Sequence, residues 1–341
     1  MNIFTKSVKG SKRINQDRYF AYENKENKIK ILGIFDGHGT YGHYIAEYAV
    51  TFFKNVFDKN IDKFVNFINN EARLSWLKKL YPLVQQYIKN KLLEYSRENY
   101  LNWKEVDNIL LDKNDKPIKG GTTCSIVIIY NKKIYVTNVG DSDIYVYNKN
   151  SFDKLNISHK ANNINEFIRI QEMKLELPFK FIYDQRHVYD KQTCPEVFLY
   201  DKDQIIKNPI IINPWKNKLY PMNINFTPAS YCVSPLYPTN RFYSCIAMTR
   251  GLGNFHMSKY GYSNEPDGQI YNLNEDDIIL VGTDGVWDNW TDIEIIDFIS
   301  ENMDDINSLG NNFITKTNEK NIRNFGWNKD DTTILMTDSY F

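Results

Sequence analysis

Two apolar runs in this chain stop at the same dipeptide, and that limits how it can fold. Ile29–Phe35 (I-K-I-L-G-I-F) runs into Asp36-Gly37, and the stretch 277–283 runs into Asp284-Gly285. A short apolar run bounded by a turn signal reads as a buried strand. The carboxylate then stands at the end of a rigid element, facing solvent. The glycine lets the backbone turn sharply and lets a carbonyl approach a cation. Asp141 in Gly140-Asp141-Ser142, Asp330-Asp331 before the last apolar run, and Asp17 extend the series. Taken singly, Asp-Gly is an ordinary turn pair. As a set at strand ends, converging carboxylates repel and hold their protons, and a hard divalent cation relieves them. Oxygen donors without His or Cys point to Mg²⁺ or Mn²⁺ and not to zinc.

The rest of the chain reads as mixed helix and strand. Residues 40–57 carry Tyr41, Tyr44, Ile45, Tyr48, Ala49, Phe52 and Val56 at helical spacing. Residues 61–103 continue as helix, and 104–120, with Pro117 and Gly120-Gly121, reads as a loop. Thr122–Tyr130, Lys133–Val139 and Ile144–Tyr147 are β-rich and read as a meander. A short helix is predicted over 163–174. From Pro178 to Pro238 lie eight of the eleven prolines, too many for helix or central strand. That stretch reads as an ordered flap, with Trp215, Tyr220, Phe226, Tyr231 and Tyr237 packing it or meeting a protein substrate. Helices over 291–302 and 309–321 and strands over 277–283 and 332–337 close the chain.

Charge narrows the function classes. Lys and Arg total 42 against 42 Asp and Glu, so nothing favours a polynucleotide or an anionic membrane surface. No apolar run nears the ~20 residues that span a bilayer. The start, Met1-Asn2, carries neither an apolar leader nor the glycine that myristoylation needs. The four cysteines have no zinc or disulfide-scaffold spacing. The expected setting is the cytosol, with the nucleus also open.

Asp36-Gly37-His38-Gly39 resembles the D-G-H-G signature of the metal-dependent protein phosphatase 2C family. Other segments then fall in that family's order: Asn15-Gln16-Asp17, Gly120-Gly121-Thr122-Thr123, Asn138-Val139-Gly140-Asp141-Ser142 and Glu166…Arg169-Ile170. Thr249-Arg250-Gly251-Leu252-Gly253, Asp284-Gly285-Val286-Trp287-Asp288 and Asp330-Asp331-Thr332-Thr333 complete the set. The resemblance implies an α+β fold: two antiparallel sheets packed face to face, with helices on both outer faces. It implies one catalytic domain over 1–341, with an enlarged flap at about 171–245. It also implies a monomeric serine/threonine phosphatase that hydrolyses phosphoprotein substrates with two ions, or three, of Mg²⁺ or Mn²⁺ and a water held between them. Asp36 would bridge two metals, the Gly37 carbonyl would hold one, and Asp284 and Asp330 the other. Asp141 with Asp284 would hold a third ion, and Asp17 would orient water. His38 is the expected general acid, since histidine titrates near neutrality.

The phosphate-binding cation is expected at Arg13 or Lys12; the family places an Arg at the position of Lys12, and a one-residue shift favours Arg13. Three positions depart from the pattern. Asn254 stands where Asp is usual, Asp143 where Arg is common and Ser158 where Asp is frequent. They are expected to touch the fold and the outer surroundings of the site. Two alternatives stay open: a catalytically weak phosphatase-like scaffold that binds partners, and a two-metal hydrolase of a small phosphorylated molecule.

Overall fold

The computed structural model describes residues 3–149, 151–183, 196–201, 204–208, 231–234 and 246–339. Two five-stranded antiparallel sheets lie face to face. One orders its strands Ile3–Val8, Thr332–Asp338, Ile278–Gly282, Asp143–Asn148, Ser151–Lys154. The other runs Asp267–Asn272, Lys133–Val139, Cys124–Tyr130, Ile29–Phe35, Arg18–Asn24. Both faces of the central strands are covered, and with period-two alternation that makes them largely apolar on both. In Ile29–Phe35, Leu32 and Ile34 join Val127, Ile129, Val136, Ile279, Val281 and Leu335 between the sheets. Ile29, Ile31 and Phe35 face outward onto helices Gly42–Val65 and Asn70–Glu98. On the far side Ile278, Leu280, Ile334 and Met336 pack against helices Asp292–Glu301 and Ile306–Phe325. This is the expected sandwich of two sheets between helical layers.

Three expectations differ in detail. The helix expected over 61–103 is broken, because Arg73 turns back and donates to the carbonyls of Phe64, Val65 and Phe67, capping the preceding helix. Asn69 then caps the next helix by accepting from the Ala72 N–H. The segment expected as a loop contains the hairpin Lys104–Val106 and Ile109–Leu111, turned by Asp107 and Asn108 at positive φ. The meander also splits: Asp143–Asn148 pairs with Ile278–Gly282 in the other sheet. The Gly140-Asp141-Ser142 turn is therefore a crossover between sheets.

Of the flap, Phe179, Phe181, Val197 and Phe198 form a separate small core with Phe167 and Ile170 of helix Ile164–Glu172 and with Met248, Met257 and Tyr262. Trp215, Tyr220, Phe226 and Tyr237 lie outside the described residues, as does the side chain of Tyr231.

Candidate metal centre

Strand register carries the aspartates to one end of the sandwich. Arg18 pairs with Phe35, so Asp17 and Asp36 leave their sheet side by side. Gly282 lies opposite both Asp143 and Ile334, so Asp141, Asp284 and Asp330 leave the other sheet at the same end. Asp331 ties the two N-terminal motifs to the last strand: its carboxylate accepts from Gly10 N–H at 2.7 Å and Gln16 N–H at 2.9 Å. Both oxygens of Asp331 are thereby used, and its neighbour Asp330 is left to face the site. Glycine is required where these segments touch. A Cβ on Gly285 would lie 1.9 Å from the Asp331 carbonyl oxygen, and one on Gly37 2.5 Å from that of Gln16.

The carboxylates are crowded and partly unsatisfied. Asp17 Oδ2 accepts from Thr283 Oγ1 at 3.1 Å. Asp17 Oδ1, Asp141 Oδ1 and Asp284 Oδ1 are buried without a hydrogen-bond partner, an expensive condition unless something else binds there. Burial, then the charges of Asp331, Asp330 and Asp284, push Asp17 up to about 8 against the pull of a Thr333 hydrogen bond. Burial, then Asp330 and Asp141, push Asp284 up to about 7. Asp36 is raised well above the carboxylate range by burial, then by Asp284 and Asp17. Asp141 is raised by burial. These are the signatures of a site short of positive charge. Among the described residues no three acidic, histidine or cysteine side chains close into a finished ligand sphere. The donor chemistry still fits hard divalent ions: oxygen only, several carboxylates, and three orphaned oxygens.

Two lysines partly supply the missing charge. Lys12 Nζ lies 2.8 Å from Asp330 Oδ1. Burial opposes its charge, but Asp330 and Asp36 outweigh burial and raise its pKa. Arg13, favoured above on spacing, is exposed and has no ion pair or hydrogen bond among the described residues. Lys160 Nζ lies 3.8 Å from Asp288 Oδ1 and also feels Asp141, Asp143 and Asp284. Asp288 is raised to about 7, by burial first. Neither Asp288 nor Lys160 was given a role from sequence. The signal lay in the quoted D-G-x-W-D motif, whose last aspartate stands one helical turn after Asp284 on Asp284–Trp287.

His38 stands two residues beyond Asp36. Burial, then the Lys12 charge, lower its pKa to about 4. Its Nε2 lies 2.7 Å from Asn254 Nδ2, and its Nδ1 is buried without a partner. Asn254, expected in the outer surroundings, thus touches the expected general acid. Asp143 and Ser158 do lie farther out, bonded to each other at 2.6 Å. His159 is structural: its Nδ1 accepts from Gly140 N–H at 3.1 Å and its Nε2 meets Asp267 at 3.0 Å, bracing the Asp141 turn.

Known proteins arrange themselves around the same fold. The family described as Protein phosphatase 2C matches residues 3–185 and 229–324. A rice protein (Oryza sativa subsp. japonica) described as "Probable protein phosphatase 2C 75" is 24% identical over 315 residues, covering 87% of this chain and 63% of its own length. An Arabidopsis thaliana protein, "Probable protein phosphatase 2C 1", is 24% identical over 87% of this chain and 56% of its own. The chain thus spans little more than half of the curated relatives it matches. The structure of the Toxoplasma gondii serine-threonine phosphatase 2C superposes with a TM-score of 0.59 at 14% identity, covering 98% of this chain and 93% of that one. A C. elegans sex determining protein gives 0.62 at 17% identity, covering 99% and 64%. The family match takes in most of the chain and every strand-end aspartate except Asp330 and Asp331: the chain belongs to the protein phosphatase 2C family.

Proposed function

We propose that this chain is a metal-dependent protein serine/threonine phosphatase. The observation that carries the reading is the ring of buried and half-buried strand-end aspartates, three with orphaned oxygens, flanked by a histidine and a lysine. Asp36, the Gly37 carbonyl, Asp284 and Asp330 would hold two Mg²⁺ or Mn²⁺ ions, and Asp141 with Asp284 a third, with Asp288 close by. Such ions, when bound, neutralise the carboxylates, lower the pKa of water and screen the phosphoryl oxygens. The chain's own groups do the rest. Asp17 accepts a hydrogen bond from the attacking water and orients it. Lys12 meets the phosphoryl oxygens as a point charge. His38 gives a proton to the leaving seryl or threonyl oxygen. A bound phosphate dianion raises the histidine pKa from its depressed value toward neutrality, because an opposite charge favours the charged form.

Phosphoprotein substrates, a monomer of one domain with its flap at about 171–245, and a cytosolic or nuclear setting belong to the same proposal. A family match that omits residues 186–228 is in keeping with an inserted flap. The test is phosphate release by the purified chain from phosphoserine peptides, phosphotyrosine peptides and nucleotides, after EDTA and after Mn²⁺ add-back. Release from phosphoserine peptides that EDTA abolishes and Mn²⁺ restores is the expected result. Preferential nucleotide hydrolysis, or activity indifferent to EDTA, overturns the proposal.

A further inference from the structure

Asn254 replaces the aspartate usual at its position, and its surroundings are built around its contact with His38. Its backbone is left-handed, at φ 44° and ψ 39°, a conformation asparagine tolerates better than most residues. Its N–H donates to the Gly120 carbonyl at 2.7 Å. Its side-chain amide is buried, donating to Tyr262 Oη at 3.0 Å and meeting His38 Nε2 at 2.7 Å. Gly121 lies directly beneath: a Cβ there would fall 2.2 Å from Asn254 Nδ2 and 2.7 Å from His38 Nε2. Gln85 fixes the approach from the other side, donating to the Gly253 carbonyl at 3.0 Å and accepting from Gly253 N–H at 2.7 Å. The amide is thus held by Tyr262 and turned to one edge of the imidazole, on a backbone fixed by Gly120 and, through Gly253, by Gln85.

We infer that Asn254 is the positioning residue for His38, anchoring the ring by Nε2 so that Nδ1 is the nitrogen that hands a proton to the leaving oxygen. The inference rests on the phosphatase reading above. In the step it serves, the water oxygen bonds to phosphorus and the phosphorus–oxygen bond to serine breaks. The electron pair stays on the seryl oxygen, which takes the His38 Nδ1 proton. One water proton later restores the histidine. An amide suits the task because it can donate to Nε2 of the neutral ring and, rotated, accept from Nε2–H of the protonated one.

A leaving group that needs no proton separates positioning from general damage. The experiment compares Asn254→Ala, Asn254→Asp, His38→Gln and the double Ala/Gln variant, with Mn²⁺, on a phosphoserine peptide and on p-nitrophenyl phosphate. Asn254→Ala should lower kcat on the peptide about 10- to 100-fold, part of the ~10²–10⁴ that a positioned acid supplies. KM should stay unchanged, and the p-nitrophenyl phosphate rate should stay within about threefold, as nitrophenolate leaves without protonation. His38→Gln should show the same split, the double variant should add nothing, and Asn254→Asp, which can still accept from Nε2–H, should keep most of the peptide rate. In parallel, ring-nitrogen NMR of the metal-free protein should show the His38 tautomer fixed in the wild type and averaged in Asn254→Ala. Equal losses on both substrates, or no loss on either, overturn the inference while leaving the phosphatase reading standing. Wild-type protein inactive on both substrates overturns that reading, and this inference with it.

Discussion

Asp284→Asn keeps the shape of the side chain and removes its charge, so it separates what the carboxylate does for stability from what it does for metal binding. In the metal-free chain burial, then Asp330 and Asp141, lift Asp284 from 3.8 to about 7. Its folded pKa lies above its unfolded one, so the folded chain binds the proton more tightly. That contribution to stability is complete below pH ~4, and it is lost as pH rises through about 7. Between pH 5.5 and the folded pKa lie about 1.5 pH units, and at ~1.4 kcal/mol per unit the wild type loses about 2 kcal/mol that the asparagine variant keeps. For 341 residues, unfolding entropy near 2.1 cal/mol/K per residue gives ~0.7 kcal/mol/K, so 2 kcal/mol is about 3 °C. The assay is thermal melting in EDTA at pH 5.5 and pH 8.5. The variant's Tm relative to wild type should rise by about 3 °C from the lower pH to the higher. Taking this difference cancels the titrating groups that do not feel Asp284; Asp17 and Asp36 do feel it, and losing its charge in the variant shifts the difference in the same direction. Mn²⁺ should then raise the wild-type Tm at pH 8.5 and leave the variant nearly unmoved. A difference in Tm that is the same at both pH values refutes the charge-crowding argument, and equal stabilisation of both proteins by Mn²⁺ refutes the metal reading.

Further outcomes follow from individual contacts. Lys12→Ala should raise KM for a phosphoserine peptide about tenfold, a charged hydrogen bond being worth ~1.5–3 kcal/mol, whereas Arg13→Ala should leave steady-state kinetics within about twofold. Gly285→Ala drives a Cβ against the Asp331 carbonyl; it should cost about 1–3 kcal/mol, read by urea melting, and weaken the Mn²⁺ response. Glu166 is buried against Arg250, at 2.6 Å, and Arg169, at 2.9 Å. Those hydrogen bonds and charges overcome burial and hold its carboxyl near pKa 2. Glu166→Gln should cost roughly 3–5 kcal/mol at pH 7, and the gap from wild type should close as pH falls from about 4.5 toward 2.

The parts of the fold that could be read ahead were those in which one residue's neighbours in sequence decide its state. Ile29–Phe35 is apolar except at Lys30 because both its faces are buried, and Asp36-Gly37 ends it. Contacts distant in sequence were illegible. The break after Val65 depends on Arg73 reaching back to three carbonyls. The meander failed because a turn of Gly-Asp-Ser looks the same whether its strands pair with each other or part to two sheets. Which of Lys12 and Arg13 reaches the aspartates is visible only in space, where Lys12 meets Asp330 from the other end of the chain. Lys160 gave no signal along the chain, since its charge matters only beside Asp288 and Asp141.

The departures from the family pattern carry the same lesson in reverse. Asp143 stands where Arg is common and Ser158 where Asp is frequent, and along the chain they look like two independent losses. In space the two are in direct contact. Ser158 Oγ donates to Asp143 Oδ1 at 2.6 Å, and Lys154 Nζ lies 2.6 Å from Asp143 Oδ2. The positive charge absent at 143 is supplied from 154, on the edge strand paired with Asp143–Asn148. The carboxylate absent at 158 has its counterpart in Asp143 itself. A nearly buried carboxylate left without its cation costs several kcal/mol, so Asp143 depends on Lys154. Asn254 differs in kind, because the group facing it is the imidazole of His38 and not a charge that requires an opposite. A residue that must orient a ring can lose its charge and keep its task, whereas one that must neutralise a neighbour cannot.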